Sequence, residues 1–473
     1  MLNRLGPLPR LLLGLGLGSA LAAVAALWWW WPARPRATLA GHGASCDAIE
    51  YADIGTLVVK RGDALVVWDL QSGRTAQCPL RSPYQELLVA PDGQTLAFSE
   101  RVDPEKEDAV IRLWRPAGPD GPINLPGEQG LTCFTADGRF LVTWAGGRYR
   151  YRLWELATGR ERRFPVAFAG YDGAYPLPDG RLAVTEYIHE PGWFADQVGI
   201  KVWVFDAELR VLGTPLTLPD ICGPIHLTPA GDRFAAWKLG YDPSRIKLFD
   251  LATGREIAAF PGDFILGAGP VVKFSADGSR LLTGGQTLWD IASTPPRRLG
   301  SVRNCPLLSA DGEWLAARAS SDFDRAGDWE FIEVTGWQKH PWAVERHGDP
   351  QFAPRGTLVA ARGTRIPSRF AEWLAEWVPG LPAARPSEVL QVRSLPDWSE
   401  LAVIVNPERY AFFRDGQLLA VGQADGTIEV WDIPPRRTWW IEYGLPAVFA
   451  LLLLLATRLV WRAARKPREP APC

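Results

Sequence analysis

Short apolar runs recur along the middle of the chain, each closed by an aromatic or acidic tail. They read VVWDL at Trp68, IRLW at Trp114, YRLWEL at Trp154, VWVFDA at Phe205, IKLFDL at Phe249, TLWDI at Trp289, FIEV at Val334, LQVRSL at Arg393 and IEVWDI at Trp431. Successive tails lie 38 to 59 residues apart, most of them 40 to 46. Before most tails comes a pair of alternating runs joined by Asp-Gly: Asp92-Gly93, Asp137-Gly138, Asp179-Gly180, Asp277-Gly278, Asp311-Gly312 and Asp415-Gly416. Asp-Gly between such runs is a strong hairpin signal, because glycine takes the positive φ that the turn needs. Thr158-Gly159 and Thr253-Gly254 supply a further tight turn after the tail. Four short strands in about 44 residues is the unit of a β-propeller blade, and nine such units are counted.

The two ends follow a different pattern. Leu11 to Trp31 carries no charge, and at about 1.5 Å per residue it is long enough to span a hydrocarbon layer of roughly 30 Å. Trp28 to Trp31 stand where an interfacial aromatic girdle belongs. Arg4, Arg10 and Ala23-Val24-Ala25 also permit a cleaved signal peptide, but cleavage there would leave four tryptophans at a mature terminus, so a retained anchor is preferred. A second apolar stretch runs from Trp439 to Trp461, interrupted by Glu442, Pro446 and Arg458. Charged side chains near its ends can snorkel to the interfaces. The expected division is a cytoplasmic N-terminus at 1–10, a transmembrane helix at 11–31, a linker at 32–37, the propeller at 38–433, a linker at 434–438, a second transmembrane helix at 439–461 and a basic cytoplasmic tail at 462–473.

Composition supports many turns over packed helices, with 46 Gly, 41 Pro and 23 Trp against a single Met in 473 residues. Charge is unevenly placed. Residues 1–36 hold four Arg and no acid, and residues 439–473 hold five bases against Glu442 and Glu469, so the acidic excess lies wholly in the middle. An acidic middle disfavours nucleic acid as a partner. Five bases follow the start of the second span and only Arg436 and Arg437 precede it, which by the positive-inside rule puts both termini in the cytoplasm and the propeller outside. Arg outnumbers Lys 43 to 8, a hint of a GC-rich bacterial genome and hence of the cytoplasmic (inner) membrane.

The recurring tails and Asp-Gly turns resemble the WD-repeat (WD40-like) β-propeller family over roughly Leu39 to Ile433. The resemblance implies an all-β fold, a single propeller of seven to nine blades, and use as a rigid platform for protein partners. Of the family's Gly-His, Ser/Thr, Asp and Trp hydrogen-bond set, Gly41-His42, Asp63 and Trp68 match in the first unit, and Asp425 with Trp431 in the last. The unit at Val334 or Arg393 is the one expected to be irregular, since seven or eight blades are commoner in the family.

Ring closure is expected from the two ends of the repeat. The last unit reaches its third strand at Ile428 to Ile433 and then meets the second apolar stretch. Thr38, Leu39 and the residues up to His42 read as its missing outer strand, which would pair beside Trp431 and remove two sheet edges. Both apolar segments then leave from the face where third strands end. The opposite face carries loops joining second to third strands, and these are the long ones: Glu100 to Ala109, Glu186 to Gly199, Ala319 to Trp329 and Gly363 to Glu388. Long loops on a rigid scaffold are where binding tends to reside. In the longest, Phe370, Trp373, Leu374, Trp377 and Val378 fall on one face of a short helix, between Pro367-Ser368 and Pro379-Gly380. Phe370, Trp373 and Trp377, with Trp193 and Phe194 of another long loop, are the partner-binding candidates; such a stripe can equally pack onto its own domain.

Catalytic signals are sparse. No HExxH, GxSxG, P-loop or GxGxxG before a helix occurs. Asp322, Asp324 and Asp328 lie close together but lack an EF-hand's distal Glu, and the six cysteines form no CxxC. No catalytic, cofactor-binding or metal-binding residue is assigned, and no cofactor is expected. The favoured reading is a membrane-anchored scaffold, not an enzyme, that binds a protein or envelope partner through its membrane-distal face. Two alternatives stay open: a quinoprotein-like propeller enzyme, suggested by LATGREIAAF at Leu251 to Phe260, and the sensory ectodomain of a larger membrane complex.

Overall fold

A computed structural model of the chain describes residues 35–40, 48–53, 55–82, 84–101, 109–118, 121–125, 130–145, 150–168, 173–189, 197–238, 246–261, 272–284, 286–302, 307–318, 329–344, 350–365, 387–395 and 397–435. Among them are nine four-stranded antiparallel sheets, the blades of a propeller. Blade 1 comprises Ala48–Asp53, Thr56–Arg61, Ala64–Asp69 and Thr75–Pro79, paired in chain order, and blades 2 to 8 repeat this order. Blade 9 takes Pro407–Phe412, Leu418–Gln423 and Ile428–Asp432 from the end of the repeat and Ala37–Leu39 from its beginning. The chain divides into two compact units, Leu39–Glu429 and a smaller one of Met1–Thr38 with Val430–Cys473.

The Asp-Gly turns join first to second strands and share one geometry. In each, the glycine has φ between 66 and 86°, and its N–H donates to the carbonyl three residues back at 2.8–3.0 Å. The aspartate carboxylate accepts the N–H two residues on, as in Asp92 from Gln94 (2.8 Å) and Asp277 from Ser279 (3.0 Å). Thr135, Ser275 and Ser309 add a hydroxyl donated to Asp137, Asp277 and Asp311. Gly231 and Gly356 make the same turn without an Asp before them. The acid of several tails has a matching task one turn later: Asp69 accepts from Ser72 Oγ (2.6 Å), Glu155 from Thr158 Oγ1 (2.8 Å) and Asp250 from Thr253 Oγ1 (2.6 Å). These hydroxyl bonds, first among the causes, hold the Asp69 and Asp250 carboxyls below the usual carboxylate range. The acidic residue of the tail is thus turn chemistry, which explains its recurrence.

The aromatic residue of the tail wedges between blades. Trp114 of blade 2 packs with Val58, Leu65 and Val67 of blade 1, Trp154 of blade 3 with Ile111 and Leu113 of blade 2, and Phe249 of blade 5 with Ile200 and Val202 of blade 4. Each second strand is covered on both faces by neighbouring blades. Leu57, Val58 and Val59, for instance, are all fully buried. Continuous apolar runs, rather than alternation, are what a doubly covered strand requires.

Two expectations need correction. The units at Val334 and Arg393 are complete four-stranded blades, 7 and 8, so the count is nine without an irregular member. Neither has a tail aromatic at the wedge position, and the wedge comes instead from the turn that follows the third strand. Trp337 packs against the cluster of Leu288, Leu315 and Val334, and Trp398 against Phe331, Ala316 and Leu395. Both tryptophans hold positive φ, 51° and 55°. Gly300 is what admits the first of them, since a Cβ there would stand 2.1 Å from the Trp337 ring. The closing strand is Ala37–Leu39 rather than Thr38 to His42; Arg36 continues it, its N–H donating to the Val430 carbonyl at 2.7 Å and its guanidinium reaching Asp432 at 3.5 Å. Thr38, Leu39 and Trp431 lie in the closing blade as expected, and His42 falls outside the described residues.

Part of the hydrogen-bond set that the WD-repeat resemblance implies is seen among the described residues. A tryptophan-to-hydroxyl bond joins Trp154 Nε1 to Thr143 Oγ1 in blade 3 and Trp289 Nε1 to Thr283 Oγ1 in blade 6, both at 3.0 Å. Arginines bridge blades elsewhere. Arg233 of blade 5 donates to the Ile291 and Gly278 carbonyls of blade 6, and Arg115 to the Leu156 carbonyl of blade 3. Among the described residues no helix is long and apolar enough to cross a membrane, and both expected spans, 11–31 and 439–461, lie outside them.

Candidate partner-binding surface

Strand alternation fixes which loops share a face. Within every blade the turns from first to second and from third to fourth strands lie at one end, and the loops from second to third strands at the other. All four long segments singled out from sequence belong to the second kind. Phe370, Trp373 and Trp377, and likewise Trp193 and Phe194, fall outside the described residues, as do Asp322, Asp324 and Asp328.

The stems that carry two of these segments are described. In blade 4 the second and third strands, Leu182–His189 and Gln197–Phe205, pair from Leu182↔Phe205 out to His189↔Gln197. In blade 8, Leu358–Arg365 and Ser387–Ser394 pair without interruption from Leu358↔Ser394 to Arg365↔Ser387. Eight- and nine-residue strands here contrast with four to six in the same positions of the other blades. Blade 4 and blade 8 are four places apart in a ring of nine, so the stems stand on nearly opposite sides.

Both stems are braced. In blade 4, Glu186 is buried and accepts the Trp203 indole N–H at 2.9 Å. Gly199 approaches the fourth strand so closely that a Cβ would lie 2.6 Å from the Leu218 carbonyl oxygen. In blade 8, Arg362 donates to the Glu408 carbonyl of blade 9 at 3.4 Å, and Gln391 accepts the Trp342 indole N–H of blade 7 at 3.1 Å. Polar contacts thus reach the second stem from both neighbouring blades.

Two buried thiols and one half-buried imidazole are shifted by their surroundings. Burial pushes the Cys133 thiol up to about 12 and raises Cys78 as well, so neither is a thiolate at neutral pH. Burial lowers His226, which lies 5.8 Å from the Trp237 ring.

One surface escaped the sequence reading. A half-open cavity of about 610 Å³ lies against the outer part of blade 3, lined by Tyr151, Arg152, Arg162, Arg163, Phe164 and Phe168 among others. Its signal was present in the run from Arg148 to Arg163, with six Arg against Glu155 and Glu161 in an otherwise acidic repeat.

No protein-family model matches the chain, and no curated protein matches it. Among solved structures, it is similar to a crystal structure of the eukaryotic initiation factor, also a propeller, at 13% identity and a TM-score of 0.51, covering 78% of this chain and 89% of that one. At that identity the likeness speaks for the fold alone.

Proposed function

We propose that this chain is a membrane-anchored propeller scaffold of the WD-repeat type, which captures a protein partner on the face bearing the second-to-third-strand loops. The observation that carries this reading is the pair of braced stems in blades 4 and 8. Extending strands beyond the ring orders more backbone at an entropic cost of about 1 to 2 kcal/mol per residue, and the extension serves to present what lies at the tips. Those tips hold the sequence's aromatic candidates, Trp193 and Phe194 on one, and Phe370, Trp373 and Trp377 on the other. Aromatic side chains dominate the energetics of protein interfaces. The basic excess after the second apolar stretch supports a propeller outside the cytoplasm, and this face, opposite the one at which third strands end and the apolar segments leave, would then point away from the membrane.

The test uses the full-length chain in its membrane. A partner captured by crosslinking should be lost when Trp373 and Trp377 are both replaced by Ser while far-ultraviolet dichroism stays unchanged, since truncating such anchors costs about 2 to 4 kcal/mol of binding. A folded double variant that captures the partner as before overturns the surface. A cysteine introduced within residues 319–328 should react with an impermeant reagent on intact cells; reaction only after permeabilisation overturns the orientation.

A further inference from the structure

The cavity on blade 3 goes beyond this reading and depends neither on the anchor nor on the stems. Its form follows from an early departure of the fourth strand. In blade 5 the fourth strand, Glu256–Phe260, pairs back to Ile246, the first residue of the third. In blade 3 the fourth strand is only Arg160–Arg162 and pairs with Glu155, Trp154 and Leu153 before the chain turns away. The next residues dive inward. Phe164 and Phe168 meet each other at 5.3 Å between centroids, Tyr151 at 6.3 and 5.2 Å, and Phe205 of blade 4 at 5.5 and 6.4 Å. Tyr151 is fixed in turn by its hydroxyl, which donates to the Thr185 carbonyl of blade 4 at 3.3 Å.

The result is an aromatic floor with a cationic rim. Arg152 reaches Glu161 at 3.7 Å and Arg162 reaches Glu155 at 3.2 Å. Arg163 is exposed and makes no ion pair or hydrogen bond among the described residues. Both glutamates are thus already engaged, and the rim retains a net positive charge in a repeat that is acidic as a whole. Arginine guanidinium groups bind carboxylates in a bidentate fork, and an aromatic floor receives an apolar side chain.

We propose that this cleft docks an extended acidic segment of a partner protein, placing an apolar side chain on Tyr151, Phe164 and Phe168 and flanking carboxylates on Arg162 and Arg163. Its course beside a strand favours an extended chain, the geometry of strand-like peptide recognition. Charge complementarity fixes the sign of the occupant, and the floor fixes its need for an apolar anchor.

The experiment titrates the full-length chain with a short labelled peptide alternating Glu and Phe, with its Gln and Phe counterpart, and with vesicles of phosphatidylglycerol. The Glu peptide should bind saturably and weaken with salt. Replacing Arg162→Gln together with Arg163→Glu should weaken it by about tenfold or more, with the fold intact by circular dichroism. A control pair on the outer strand of blade 6, Arg297→Glu with Arg298→Glu, should leave it unchanged. The proposal is overturned if the control pair weakens binding as much, if the Gln peptide binds as tightly, or if only the vesicles bind. None of these outcomes depends on Trp373 or Trp377, so this test and that of the stem surface fail separately.

Discussion

The imidazole of His340 lies flat on the indole of Trp398, with ring centroids 3.8 Å apart and planes 10° from parallel. His340 is in the outer strand of blade 7 and Trp398 in the third turn of blade 8, so the stack spans a blade junction. The imidazole Nδ1 accepts the Trp342 N–H at 3.2 Å, which a protonated Nδ1 could not do. Arg393 stands close by, its guanidinium 5.0 Å from the Trp342 ring. Burial first, and Arg393 second, hold His340 below the usual histidine range.

A pH dependence follows with a definite sign. His340 and His226 are both lowered, so the unfolded chain takes up protons more readily than the folded one. Stability is therefore full above the ordinary histidine value of about 6.5 and is lost as pH falls through it. Thermal unfolding followed at pH steps across that range should show a falling midpoint, and His340→Gln should shrink the fall. An unchanged slope in the variant would place the dependence elsewhere.

The same junction shows where the sequence was legible and where it was not. Asp-Gly turns, apolar runs and aromatic tails are local signals, each decided by a few neighbouring residues, and they located the nine third strands. Trp337 and Trp398 serve the same wedge from a turn, through a positive φ that no local pattern announces for tryptophan. Theirs are the two units between which an irregular blade is expected, from the blade counts common in the resembled family. The closing strand was legible because the last unit visibly lacks a partner, although its bounds shifted toward Arg36. The blade 3 cleft was not legible, because an arginine run reads as a solvated face until the early end of Arg160–Arg162 becomes visible. The stem tips could be named from sequence as aromatic, but their length above the ring depends on strand pairing.

Between blades 1 and 2 a buried ion pair gives a second prediction. Arg112 Nη1 donates to Glu100 Oε2 at 3.0 Å and to the Pro79 carbonyl at 3.0 Å, and Glu100 Oε1 accepts the Arg81 N–H at 2.8 Å. Both side chains are almost wholly buried. Glu100→Ala would strand a buried guanidinium and should cost about 3 to 5 kcal/mol, whereas Glu100→Met with Arg112→Leu should cost far less. Chemical denaturation of the three proteins decides it. Equal losses in single and double variants would mean that the pair itself, and not the uncompensated charge, sets the stability.

Arg61, at the end of the second strand of blade 1, carries the last prediction. Its guanidinium donates to the Ala40 carbonyl at 3.2 Å and to the Gly426 carbonyl, so one side chain holds two segments of blade 9 against blade 1. Arg61 is 7% exposed, and hydrogen bonds from a charged donor contribute about 1.5 to 3 kcal/mol each. Arg61→Met keeps the apolar stem but leaves both carbonyls unpaired at the junction where the repeat's last blade meets its first. Such a ring should open there before it unfolds elsewhere. Hydrogen exchange followed by mass spectrometry should show early deuteration in Pro407–Phe412 and Ala48–Asp53, with blades 4 to 6 still protected. Arg233→Met in blade 5 removes a comparable clasp from an internal junction, where the chain is continuous from Phe260 onward into the next blade, and should show no such localised opening. If both variants exchange alike, covalent continuity between blades matters more than the arginine clasp at the closure.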